Sequence, residues 1–253
     1  MLIALGAILG AVFGSFLATV AIRWPGEASA LRGRSACDGC GAPIGPRRLV
    51  PVLSFFLQRG RAVCCGAPID RVHPAGEIAG AAIGAASFVV AADPVTGLAG
   101  ALFGWVLLLL ALLDARSFWL PDRLTGALAI AGLAAGLAGL DPPLADRVIG
   151  GAAGFLLFAA VRFAYRRLRG REGMGGGDVK LFGAIGLWLG WRLLPLTLFA
   201  AAATGLLLAL VLHLSGRPMG GATRLPFGIF LAIAAWLVWL GVEAGSLPAL
   251  AGG

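Results

Sequence analysis

Two aspartates stand where an acid is costly. Asp114 ends the apolar run from Pro94 to Leu113, and Asp178 opens the run that begins at Leu181, directly after the glycines of GMGGGD. Ionisable groups at membrane depth are expensive and usually functional. For Asp178 the plain alternative is a helix N-cap, since an Asp after a glycine run can accept a hydrogen bond from the first helical turn; Asp122, in LPDRLT, fits that alternative better. Asp114 has no such explanation, because a helix C-terminus opposes a negative charge. Two carboxylates facing each other across helices cannot both ionise easily. One keeps its proton and polarises a carbonyl while the other activates water, which is aspartic-protease chemistry, and the pair titrates as a unit. Gly175 and Gly177 either let a substrate backbone approach closely or form a flexible turn. They are not a dinucleotide fingerprint, because no strand precedes them and the GxGxxG spacing is missing. A proton relay in a transporter is the competing use of the same two acids. The eight apolar stretches show no clear pair of matching halves, which argues against it.

The four cysteines form a second set. Cys37 and Cys40 stand as CxxC in CDGCGAPI, and Cys65 opens a near copy, CGAPI, with Cys64 just before it. Two such knuckles on one loop read as a zinc site, because thiolates coordinate zinc tetrahedrally and a reducing compartment disfavours disulfides. In the repeat Cys40 matches Cys65 and Cys37 matches Ala62, so the expected fourth sulfur is missing and Cys64 stands beside Cys65 instead. Adjacent cysteines strain the backbone if both bind one metal, and His73 is an alternative fourth ligand; four free thiols packed as small apolar groups are the remaining reading.

The elements that hold these residues are apolar. The chain has 253 residues, 59% hydrophobic and only 13% charged, which fits no water-soluble globule. Uncharged stretches run over 2–22, 78–92, 94–113, 124–140, 148–161, 181–191, 193–216 and 225–242. The expected architecture is therefore an all-α polytopic membrane protein with about eight transmembrane helices. Several stretches are shorter than the roughly 20 residues that cross the hydrocarbon core, so Glu77, Arg162 and Asp178 are expected inside helices. No basic residue precedes the first stretch and Arg23, Arg32 and Arg34 follow it, so it reads as a span with its N-terminus outside rather than a cleaved signal. Eight crossings from that start place 18 of the 20 Lys and Arg on one side, the cytoplasmic one, and leave only Arg147 and Arg192 outside. This placement accounts for the net charge of +8 by topology and anionic lipid, without nucleic acid. It also puts both aspartates at the cytoplasmic interface rather than the midplane. Three regions follow: a first helix over 1–23, a cytoplasmic cysteine loop over 24–74 that lacks a core of its own, and a membrane domain over 75–253.

In this order, GSFLATVAIRWP, the cysteine knuckles, LLDARSFWLPDRLT, GREGMGGGDVKLFGAIGLWLGW and LPFGIFLAIAA resemble the type 4 prepilin peptidases, a family of GxGD aspartyl proteases. The GxGD motif falls on Gly175, Gly177 and Asp178, the D-x7-D-x2-T pattern on Asp114, Asp122 and Thr125, and the offset of 64 residues between Asp114 and Asp178 also fits. The resemblance implies an enzyme of the bacterial inner membrane that cuts the basic leader of prepilins or type II secretion pseudopilins after a Gly, at the cytoplasmic face. It implies Asp114 and Asp178 as the dyad, with Asp122, Lys180, Pro226 and Gly228 beside them. It also implies zinc on Cys37, Cys40, Cys64 and Cys65, and methylation of the new N-terminus from S-adenosylmethionine, with residues 24–74 serving that second reaction. Family members usually carry Asn where Ala18 and Leu49 stand, Cys at Ala62, and Arg-Tyr-Pro at Val72 to Pro74, while Ser54, Arg59, Gly60, Arg61 and Glu77 match.

Overall fold

The computed structural model describes residues 1–26, 35–216 and 225–247. Arg32, Arg34, Arg217 and Arg224 of the basic count lie outside the described residues. The fold is all-α: α1 (Leu2–Arg23), α2 (Leu53–Leu57), α3 (Val72–Val90), α4 (Pro94–Ser117), α5 (Asp122–Leu137), α6 (Leu144–Arg169), α7 (Gly176–Leu189), α8 (Leu194–Leu214) and α9 (Phe227–Glu243). Each of the eight apolar stretches carries one of these helices, and α2 is a short turn in the loop. Glu77, Arg162 and Asp178 lie within α3, α6 and α7, as the short stretches require.

By length and composition, four segments suffice to cross a membrane: Leu2–Gly26, Pro94–Ser117, Leu144–Arg169 and Leu194–Leu214. Eight crossings are thus more than helix length alone establishes. At about 1.5 Å per residue, α7 with 14 residues reaches only ~21 Å, against a hydrocarbon core of ~30 Å. The long helices leave large apolar side chains uncovered, among them Ile8 and Val12 on α1, Leu156 and Leu157 on α6, and Phe199 and Leu206 on α8. Such faces belong against lipid.

The chain divides into two compact units, Met1–Leu112 and Leu113–Gly253. In the first, α1 and α3 pack through two rows of glycines four residues apart. Gly6, Gly10 and Gly14 meet the carbonyls of Gly84, Gly80 and Gly76, and a Cβ on any of the three would collide with that backbone. Lipid offers no hydrophobic force between helices, so close backbone approach and van der Waals contact supply the association. Trp105 of α4 seats on the same pair: its indole N–H donates to Gly80 O at 3.0 Å and its ring stacks on Phe13 at 4.9 Å.

In the second unit α7 is the central helix, with nine of its 14 residues buried. Its shortness in the sequence has this cause: α5, α6 and α9 cover it, and lipid does not have to. Gly150, Gly151 and Gly154 of α6 bring that helix against Gly186, Leu187 and Phe182, and the Trp188 indole N–H donates to Leu128 O of α5 at 2.7 Å. Arg147, expected as a loop charge outside the membrane, is instead one of the most buried side chains, 2% exposed. Its guanidinium donates to the carbonyls of Gly132, Leu140, Asp141, Pro142, Leu187 and Trp188 at 2.6–3.2 Å. Leu187 and Trp188 are among the last four residues of α7, whose carbonyls lack intrahelical donors, and Leu140 to Pro142 belong to the loop after α5.

Candidate active site and cysteine centre

Asp114 lies in the last turn of α4 and is 5% exposed. Its own helix ends there, so its compensation comes from elsewhere. The first turn of α9 points its amides at the carboxylate: Ile229 N–H donates to Oδ2 at 3.2 Å, and the Gly228 amide is a second donor. A helix N-terminus carries a partial positive charge and unpaired donors, which suit a buried acid. Gly228 leaves room for the carboxylate, because a Cβ there would stand 2.7 Å from Asp114 Oδ2 and displace it.

Asp178 is the third residue of α7, whose N-cap is Gly175. Its carboxylate accepts from the Gly175 backbone N–H, the return half of a capping box. Asp178 is thus not the N-cap but caps the turn from its third position, and it lies close enough to Asp114 for their charges to interact. Both carboxylates sit at helix N-termini. Between those termini lies Leu120, a buried side chain absent from the sequence-derived set; a Cβ on Gly177 would meet it at 2.7 Å and one on Gly228 at 3.1 Å. Phe158 of α6 stacks on Phe182 of α7 at 4.3 Å and stands 6.3 Å from Phe227 of α9, which fixes the three helices behind the site.

The neighbours expected from the motifs divide in two. Asp122 is not an N-cap; it is the first residue of α5 after Pro121, and its carboxylate pairs with Lys180 Nζ at 2.6 Å. This exposed pair ties α5 to the first turn of α7. Thr125 is buried and turns its hydroxyl back to Pro121 O and Asp122 O. Pro226 is the N-cap of α9 and so sets the direction of the amides that meet Asp114.

In the first unit the two knuckles are structural copies. Cys37 N–H bonds Ala42 O and Gly41 N–H bonds Cys37 O; in the copy Ala62 N–H bonds Ala67 O and Gly66 N–H bonds Ala62 O, all at 2.7–2.8 Å. Gly41 and Gly66 share a φ of 73°, a left-handed turn that glycine takes without cost. Ala62 thus occupies the place of Cys37, while Cys64 replaces the residue that is Gly39 in the first knuckle. The four sulfurs nevertheless converge, all within 4.8 Å of one another, with Cys37 to Cys65 at 3.8 Å and Cys40 to Cys64 at 3.4 Å. Thiolates about 2.3 Å from one tetrahedral zinc lie about 3.8 Å apart, so the cluster has the dimensions to hold the ion. Backbone N–H groups of Gly39 and Cys40 aimed at its sulfur lower the Cys37 thiol to about 7. His73 is directed to Asp38, at 3.2 Å, and Asp38 also lies 3.8 Å from Arg23 at the end of α1. A cavity of about 370 Å³ opens beside the knuckles, walled by Ser15, Arg23, Arg48, His73 and Glu77 among others. Glu77, 6% exposed, is held there by Ser15 Oγ and the Val52 N–H, each at 2.6 Å.

Two family models match the chain. Residues 101–210 match the type IV leader peptidase family, and residues 8–91 match the bacterial peptidase A24 N-terminal domain. The chain is 39% identical over 207 residues to the prepilin leader peptidase/N-methyltransferase of Aeromonas hydrophila, covering 82% of this chain and 71% of that one. It is 39% identical over 199 residues to the protein of the same description from Klebsiella pneumoniae (76% and 87% covered), and 37% identical over 259 residues to that of Burkholderia pseudomallei strain 1026b (92% and 83%). No solved structure matches. The chain belongs to the type IV leader peptidase family.

Proposed function

We propose that this membrane protease removes the basic leader of prepilins or pseudopilins at the cytoplasmic face of the inner membrane and methylates the amino terminus so exposed. The observation that carries the peptidase reading is the meeting of Asp114 and Asp178 at the N-termini of α9 and α7, in a chain of this family. Asp114 and Asp178 form the catalytic dyad. One carboxylate takes a proton from water as its oxygen attacks the scissile carbonyl carbon; the other, protonated, gives its proton to the carbonyl oxygen. The tetrahedral intermediate then collapses, the C–N bond breaks, and the leaving amine takes a proton back from the dyad. Gly175 and Gly177, with no side chains of their own, admit the substrate backbone next to Asp178. Membership of the family leaves a proton-coupled transporter without support.

Of the three regions 1–23, 24–74 and 75–253 the second serves methyl transfer, with Ser15 and Glu77 of the flanking helices completing the wall of its cavity. The 370 Å³ cavity is within the usual range for small-molecule sites. S-adenosylmethionine would supply the methyl group. Glu77, fixed by Ser15 and Val52, is the buried carboxylate on the cavity wall, and its negative charge suits an incoming amino terminus. Incubation of purified enzyme with a prepilin, followed by mass spectrometry of the product, tests both reactions. A shortened and methylated product is expected; Glu77→Gln and Cys37→Ser are expected to give shortened product without the methyl. An uncut prepilin overturns the peptidase reading, and a cut product that never gains a methyl overturns the second.

The cysteine centre is proposed to hold one structural zinc through Cys37, Cys40, Cys64 and Cys65. Metal analysis of protein purified under reducing conditions is expected to find about one zinc per chain, since zinc takes four ligands, and Cys40→Ser or Cys64→Ser to release it. Full zinc retention in Cys64→Ser would return His73 to the ligand set.

The proposed topology has eight crossings with the N-terminus outside and both centres in the cytoplasm, supported by the 18 to 2 division of basic residues. Reporters fused after Arg171 are expected to read cytoplasm and those near Asp141 the exterior. The reverse reading at Arg171 would mean a span count wrong by one.

A further inference from the structure

The outer face of α6 carries a groove that the dyad does not use. Phe155, Ala159, Arg162, Phe163 and Arg166 line it from α6, and Gly176, Val179 and Lys180 close it from α7, around about 270 Å³. The order along the helix is amphiphilic. An apolar floor at Phe155 and Ala159 leads to a cationic end at Arg162, Arg166 and Lys180, with Phe163 between the two arginines, where the helix finishes in its arginine-rich last turn. Phe155 and Phe163 are 45% and 63% exposed, so the floor is open to the acyl region.

The charges at the polar end do not cancel. Lys180 is paired with Asp122, and Arg162 gives one amino group to Glu172 at 2.9 Å. Arg166 is exposed, with no ion pair among the described residues. Arg162 Nε is buried and has no acceptor among the described residues. One uncompensated positive charge, that of Arg166, lies at the polar end of a groove whose other end is apolar. We infer that this groove is a site for one acidic phospholipid, with its phosphodiester between Arg162 and Arg166 and an acyl chain along Phe155 and Ala159. A diester lipid with a neutral alcohol carries the single negative charge that this balance lacks, whereas a choline lipid is neutral overall. The volume is that of about nine waters, the scale of a phosphoglycerol headgroup. Basic pockets between helices on the cytoplasmic side are suited to such headgroups.

The test uses the full chain in nanodiscs of equal phosphatidylglycerol and phosphatidylcholine, with co-purified lipid counted by native mass spectrometry. Wild-type protein is expected to retain phosphatidylglycerol over phosphatidylcholine, and Arg166→Gln and Arg162→Gln each to lower that preference about fivefold, the effect of one basic residue near an anionic surface. Arg169→Gln removes the same charge from the same turn outside the groove and is expected to change nothing. Thermal unfolding of the wild type gives a reading independent of variants: phosphatidylglycerol vesicles are expected to raise the midpoint above phosphatidylcholine vesicles, and inorganic phosphate is expected not to. Equal losses in Arg169→Gln and Arg166→Gln would reduce the effect to general surface charge and overturn the site. Stabilisation by inorganic phosphate alone would overturn the lipid assignment.

Discussion

Replacing Asp114 or Asp178 by Asn is expected to lower prepilin cleavage by at least about a thousandfold while leaving the protein folded and inserted. Proton transfer by a positioned group is worth roughly 10²–10⁴ in rate, and here one residue of the pair has no substitute for its role. An amide keeps the size and the acceptor oxygen of the acid. Asp114→Asn can therefore still accept from Ile229 N–H, and Asp178→Asn from Gly175 N–H, so the helix N-termini stay capped. What is lost is the ability to exchange a proton with water and with the scissile carbonyl. Removal of either partner is expected to cost as much as removal of both, because groups that act as a unit are not additive. Asp122→Asn is the control: its carboxylate is exposed and engaged with Lys180, and cleavage is expected to fall far less. Single-turnover cleavage with a prepilin measures all three, and full processing by either dyad variant would remove the aspartyl mechanism.

Arg147→Met is expected to destabilise the protein by about 3–5 kcal/mol, the cost of removing one partner from a buried charged network. The reason is the number of acceptors left behind. Six carbonyls from three segments converge on one guanidinium, and methionine fills its space without a single donor. Buried carbonyls without partners each cost on the order of 1–3 kcal/mol, offset in part by relaxation. Arg147→Lys is expected to recover only part, since an ammonium cannot reproduce the planar fork. Arg192→Gln removes the other basic residue assigned to that side of the membrane and is expected to leave stability nearly unchanged. Thermal unfolding in one detergent compares the three; an Arg147→Met midpoint equal to wild type would show that water or lipid satisfies those carbonyls.

The distance along the chain decides what the sequence could disclose. Each apolar stretch announced its helix, and the charged residues inside helices followed from the lengths. The repeat of GAPI located both knuckles, yet not that Cys64 would turn its sulfur to the centre, because that depends on the fold of one short loop. Asp114 was legible as an anomaly, a negative charge at the wrong end of a helix. Its resolution was not, since the amide of Ile229 comes from 115 residues away. Charge counting assigns Arg147 to the outside because it treats a residue as a point charge and does not see the acceptors that draw it inside. Nor did the apolar stretches show which face packs: helices hydrophobic all round carry no amphipathic stripe. The glycine rows of α1 and α3 hold that information, and they become readable only when set against each other.

The placement of Leu120 has a mechanical consequence. One isobutyl group touches the positions of both Gly177 and Gly228, so the gap between the corner that bears Asp178 and the corner that binds Asp114 is gauged by a single side-chain volume. Catalysis by paired acids tolerates little slack, and a change at position 120 alters the gap while leaving every ionisable group and every glycine in place. The tuning variable of the site is therefore a steric one, carried by a residue with no chemistry of its own.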